Sequence, residues 1–170
     1  AQATVRAPAD PLLLAAALAG EPGVFALVDG VGEGWSPSGR WSFVGASPDA
    51  ESHALAPPRD RAVPGPADLA ARVPRWIGRV PYEACRARLE REAWVTPDAR
   101  APPPDGDVVW RRYPAVLAID HGTGMVTAVG ADAAAVDALV RRTERGLASG
   151  GTRAPVSWEA RVSAPEPPGL

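Results

Sequence analysis

The chain has 170 residues, is 46% hydrophobic and 22% charged, and carries a formal net charge of −2, the composition of one ordinary domain with enough apolar residues for a core. No acidic or basic block stands out, so nothing calls for nucleic acid or an anionic membrane as a partner. All 18 basic residues are Arg and none is Lys, which removes Schiff-base and P-loop lysine chemistry.

In chain order, Asp10-Pro11 followed by "LLLAAALAG" predicts an N-cap, Pro at the first helical position, a helix, and Gly20 past its end. The same acidic residue and helix stop distinguish this apolar patch from a signal peptide. No apolar run approaches the ~18 residues of a membrane-spanning helix, so the expected location is cytoplasmic. "GVFALVDG" (Gly23–Gly30) predicts a short buried strand. "RWSFVGAS" (Arg40–Ser47) predicts a second, with Trp41, Phe43 and Gly45 on one face. "AESHALAP" offers a third strand, followed by a loop rich in Pro and Arg. A helix over 66–73 would be cut by Pro74. "YEACRARLERE" (Tyr82–Glu92) predicts a helix, and "PDARAPPPDG" (Pro97–Gly106) a loop.

The clearest local pattern is "DVVWRRYPAVLAID", a "HGTG" turn, and "MVTAVG". It predicts an antiparallel hairpin of Val108–Asp120 with Met125–Val129, with Pro114 at a bulge or an edge. Asp132 then caps a helix with Val136, Leu139 and Val140 inward and Arg141, Arg142 and Arg145 outward. Hairpins in place of βαβ crossovers predict an α+β domain built on an antiparallel sheet with flanking helices. The domain is expected to span 1–147, with 148–170 as linker.

No chemical constellation is self-contained. "GVGEG" (Gly30–Gly34) runs into Trp35-Ser36-Pro37 instead of a helix start, so it reads as a loop, not a dinucleotide fingerprint. The single Cys85 excludes an intrachain disulfide and reads as a structural thiol; only His53 and His121 could join it in a zinc site. Glu83, Glu90 and Glu92 lie among Arg86, Arg88 and Arg91, the pattern of a solvated helix face. Ser36, Ser38 and Ser42 lack a nucleophile-elbow setting. The residues assign no catalytic group and no metal ligand.

Three segments in order nevertheless resemble one family. "FALVDGVGEGWSPSGRWSFVGASPDA", "WIGRVPYEACRARLE" and "PDGDVVWRRYPAVLAIDHGTGMVTAVG" are similar to the N-terminal domain of component I of the anthranilate synthase and aminodeoxychorismate (para-aminobenzoate) synthase family. They match its acidic-Ser strand end and Ser-Arg-aromatic strand, its Gly-Tyr-acid turn and helix, and its hairpin with Asp-His at the turn. The resemblance covers roughly residues 12–147. It implies the N-terminal part of an α/β/β/α chorismate-utilising fold. It also implies a parent enzyme that aminates chorismate, for folate or tryptophan biosynthesis, with ammonia from a glutamine amidotransferase subunit.

The family's chorismate-binding domain, with its acid/base residues and Mg²⁺ carboxylates, is not in this sequence. The resemblance therefore implies a chain that is inactive alone and holds no cofactor of its own. Its partner would be that domain, in cis or in trans, and apolar surface would lie uncovered where the two meet. Family members also hold a tryptophan molecule near this domain. Its share of the pocket falls here on Asp29, Gly30, Ser38, Gly39, Arg40 and Trp41; the other reading of Arg40 and Trp41 is that Arg40 pairs with a surface carboxylate and Trp41 packs in the core. Two departures weaken the match: Gly30 replaces a Ser, and Pro81 a Gly before Tyr82. The loop length and the missing Ser lean toward the folate branch over the tryptophan branch. The alternative is a stand-alone small-molecule-binding or protein-interaction module.

Overall fold

A computed structural model describes residues 1–28, 40–59, 73–92 and 108–150. The elements are β1 (Gln2–Val5), α1 (Pro11–Ala17), β2 (Phe25–Leu27), β3 (Trp41–Gly45), β4 (Ala50–Ser52), β5 (Trp76–Arg79), α2 (Tyr82–Arg91), β6 (Val109–Arg112), β7 (Ala115–Asp120), β8 (Met125–Gly130) and α3 (Ala133–Ala148). They form an α+β architecture of two antiparallel sheets. One sheet has five strands in the order β1-β8-β7-β3-β2, the other three in the order β4-β6-β5.

The centre is β7, all six residues of which are buried. It is hydrogen-bonded to β3 on one side and β8 on the other. Strand alternation sends Ala115, Leu117 and Ile119 to one face and Val116 and Ala118 to the other. The first face is covered by helices: Leu14 and Leu18 at α1, with Val136 and Leu139 of α3, pack on Val44, Leu117, Ile119 and Val126. On the second face Phe43, Val116, Ala118 and Val129 meet Val73, Tyr113 and Ile77. Val116, Ala118 and Val129 are buried within this chain, because residues beside the small sheet fold over them. Among the described residues the large apolar side chains left exposed are Leu12, Leu27, Val28 and Met125.

Local chemistry explains the helices. Asp10 accepts hydrogen bonds from the Leu12 and Leu13 amides, and Pro11 takes the first helical position. Asp132 caps α3 through the Ala135 amide. α3 turns Val136 and Leu139 inward, as its spacing predicts, and buries Thr143, whose hydroxyl donates to the Leu139 carbonyl. The β7–β8 turn closes at Gly124, at φ +67° in the left-handed region that glycine tolerates.

Four expectations are corrected. The run Val108–Asp120 is not one strand: β6 belongs to the small sheet and β7 to the large one, with Tyr113-Pro114 between them. Proline has no amide to donate, so the ladder is interrupted where it stands. "AESHALAP" contributes only the three residues of β4. The first residues form β1, paired with β8, and "WIGR" forms β5; neither was expected as a strand. Cys85 is exposed, so it is not a buried structural thiol. The expected helix over 66–73 falls outside the described residues except for Val73, which is not helical; the loops at 30–39 and 97–106 and the tail from 151 lie outside them apart from their flanks. Among the described residues no helix is long and apolar enough to cross a membrane.

Two substitutions test this architecture. Leu117 is fully buried in the helix-side core, so Leu117→Ala should cost about 2–5 kcal/mol, read as a lower denaturant midpoint. At Gly146 an added methyl would collide with the Ala17 backbone carbonyl. Gly146→Ala gains up to about 1 kcal/mol of helix propensity but forces α1 and α3 apart at about 1–3 kcal/mol. The melting temperature should fall, against the propensity rule.

Candidate functional site

The polar constellation that draws on the expected site residues sits where β3 begins and β7 ends. The register sets Trp41 opposite Asp120 and Ser42 opposite Ile119. The His121 amide donates to the Arg40 carbonyl at 3.0 Å, which extends the ladder one step past the strands. Backbone pairing therefore brings Arg40 beside the Asp120 carboxylate, although 80 residues separate them.

The Arg40 guanidinium grips Asp120 with both edges, Nε–H to Oδ1 at 2.9 Å and Nη2–H to Oδ2 at 2.5 Å. Such two-point geometry is the strong form of an ion pair. Asp120 also accepts the Gly122 amide at 3.0 Å. Arg40 lies 5.1 Å from the Trp41 ring centroid, within cation–π range. Asp120's side chain is 8% exposed and Arg40's 46%, so the pair is buried on the acid side and wet on the basic side. The Arg40 hydrogen bonds hold the Asp120 carboxyl down at about 2, helped by Gly122 and Thr123 and opposed by burial.

A second contact lies beside it. Ser42 Oγ is 2.7 Å from His121 Nε2, a distance at which histidine could activate a nucleophile. Burial excludes that use: Ser42 has no exposed surface, so no substrate atom reaches its oxygen. The Ser42–His121 bond instead ties the turn to β3.

Of the six expected pocket residues, Arg40 and Trp41 are described; Asp29, Gly30, Ser38 and Gly39 lie outside the described residues. Trp41 is half-buried against the second-face cluster. Arg40 does pair with a carboxylate, but the partner is the nearly buried Asp120 and not a surface group; the sequence did not single out Asp120, although an Arg opening one strand and an Asp closing another is the available signal. Among the described residues no three His, Cys, Asp or Glu side chains cluster at metal-binding distance. Comparison with known protein families, with curated proteins and with solved structures finds no match.

The ion pair has a pH signature. Asp120 titrates near 2 folded, against an ordinary 3.8. Its stabilisation is complete above the unfolded value and is lost as pH falls from there through about 2. Arg40→Gln should move the acid-unfolding midpoint to higher pH. It should also cost about 1–2 kcal/mol at neutral pH, between the usual costs for wet and buried pairs. Circular dichroism against pH reads the shift, and an unmoved midpoint would mean the pair contributes nothing.

Proposed function

We propose that this chain is a non-catalytic N-terminal domain of the component I type, serving an enzyme that aminates chorismate. The observation that supports it most is the meeting of two segments that lie far apart in the sequence. Arg40-Trp41, from the Ser-Arg-aromatic-like stretch, and Asp120-His121, from the hairpin turn, share one hydrogen-bonded cluster. Motifs that resemble a family only by chance have no reason to converge. The antiparallel α+β arrangement and α2 after the "GRVPY" turn are compatible with the same identity.

In this role Arg40 is a positioning residue. Its guanidinium is committed to Asp120, which fixes the strand that would carry Trp41 at the mouth of a tryptophan pocket completed by Asp29, Gly30, Ser38 and Gly39. The chemistry, with its Mg²⁺ and its acid and base groups, belongs to a chorismate-binding domain. Ammonia comes from a glutamine amidotransferase subunit. The product lies on the folate side or, failing that, the tryptophan side.

The test is a domain exchange. A component I enzyme stripped of its own N-terminal domain is fused to this chain, or mixed with it, and supplied with chorismate, Mg²⁺ and an ammonium salt. Aminated product should reappear with the fusion and not with this chain alone. An unrelated α+β domain of similar size should not restore it. No rescue, or turnover by the isolated chain, would overturn the proposal.

A further inference from the structure

Away from the Arg40 cluster, at the other end of β2, the two sheets part and leave a cavity of about 350 Å³. One wall is the start of β2, and the other is the face of β5 and β6. The register on that second wall is informative. Ile77 stands opposite Arg111 and Arg79 opposite Val109, so two guanidinium-bearing and two apolar side chains alternate on one face. Arg79 and Arg111 are diagonal neighbours, roughly 7–8 Å apart at the backbone, and their long side chains can converge on one small group.

The charges on this wall do not balance. Arg111 donates to Glu51 at 3.2 Å, and the other oxygen of Glu51 is 3.2 Å from His53. Arg79 is exposed and has no carboxylate partner among the described residues. The facing wall is aromatic. Phe25 and Tyr113 meet edge to face, with ring centroids 4.6 Å apart. The Tyr113 hydroxyl donates to the Gly23 carbonyl at 2.7 Å, and burial raises its pKa, so the phenol stays protonated and its ring is held in place.

Cationic donors over an aromatic and aliphatic wall suit a flat apolar body carrying one anionic group. The volume lies at the small end of ligand sites, enough for one substituted ring. We propose that this cavity binds a small aromatic carboxylate, its carboxylate held by Arg79 and Arg111 and its ring against Phe25, Ile77 and Tyr113. Because binding is read on this chain directly, the site stands or falls separately from any role in chorismate amination.

Titration of the full chain with benzoate, followed by calorimetry and by amide chemical shifts, tests the site. Benzoate should bind saturably, with shifts centred on Gly23, Gly78 and Val109. Benzamide, which keeps the ring without the charge, and acetate and inorganic phosphate, which keep a charge without the ring, should each bind at least tenfold more weakly. Arg79→Gln should weaken benzoate about tenfold, the worth of one charge-assisted hydrogen bond, while Arg79→Lys retains part of the affinity. Unchanged thermal unfolding of both variants separates lost binding from lost fold. Equal binding of benzamide, equal binding of phosphate, an unaffected Arg79→Gln, shifts centred elsewhere, or no saturable benzoate binding would each overturn the proposal.

Discussion

Tyr113 and Pro114 connect the two sheets, and the rest of the fold is arranged around that junction. One continuous run of chain supplies β6 to the small sheet and β7 to the large one. The change of sheet happens at a proline that cannot donate to either ladder. Neighbouring groups then make up the hydrogen bonds. The Tyr113 amide donates to the Arg75 carbonyl, and Arg75 Nε–H returns a bond to the Tyr113 carbonyl. The Ala131 amide closes on the Pro114 carbonyl, and the Tyr113 hydroxyl reaches Gly23. Four otherwise separate segments are thus tied at one corner. The arrangement carries a cost nearby: the Trp76 indole N–H is buried without an acceptor among the described residues, worth about 1–3 kcal/mol of desolvation.

Both the Arg40–Asp120 cluster and the cavity depend on this corner. β7 leaves it to carry Asp120 to the far end of β3, where Arg40 waits. β6 arrives at it with Arg111 and Val109 facing the cavity. The two places also differ in how their charge is used. Arg40 is paired through two hydrogen bonds to a nearly buried acid, so its charge serves the fold. Arg79 sits on a wall where guanidinium exceeds carboxylate, so its charge is available to something outside the chain.

What was legible in the sequence was local. Asp10-Pro11 and Asp132 announced their helices because capping is decided within three or four residues. The β7–β8 hairpin was legible because a glycine turn separates two β-rich runs, and the faces of β3 followed from alternation alone. Pairings at a distance were not legible. The stretch from Val108 to Asp120 is β-rich on both sides of Pro114; the proline marks a bulge or an edge but does not say that the first half pairs with β4 and β5 while the second half pairs with β3 and β8. β1 was hidden because "QATV" is too short to show a period and gains its identity only from β8. The Arg40–Asp120 bond and the Arg79–Arg111 wall likewise follow from register, which no window of neighbouring residues contains.

The junction also governs how the length of this chain can change. Each side of Tyr113-Pro114 is pinned, β6 by strands on both its edges and β7 likewise, so an inserted or deleted residue between Trp110 and Val116 cannot be absorbed by sliding. Because side chains alternate with period two, a one-residue slip on the β6 side would turn Arg111 and Val109 away from the cavity and bring Trp110 and Arg112 into it. The same slip on the β7 side would point Leu117 and Ile119 away from the helices. Insertions and deletions are therefore expected in the chain's connecting loops and not at this short corner, whose residue count is as much a part of the fold as its residue types.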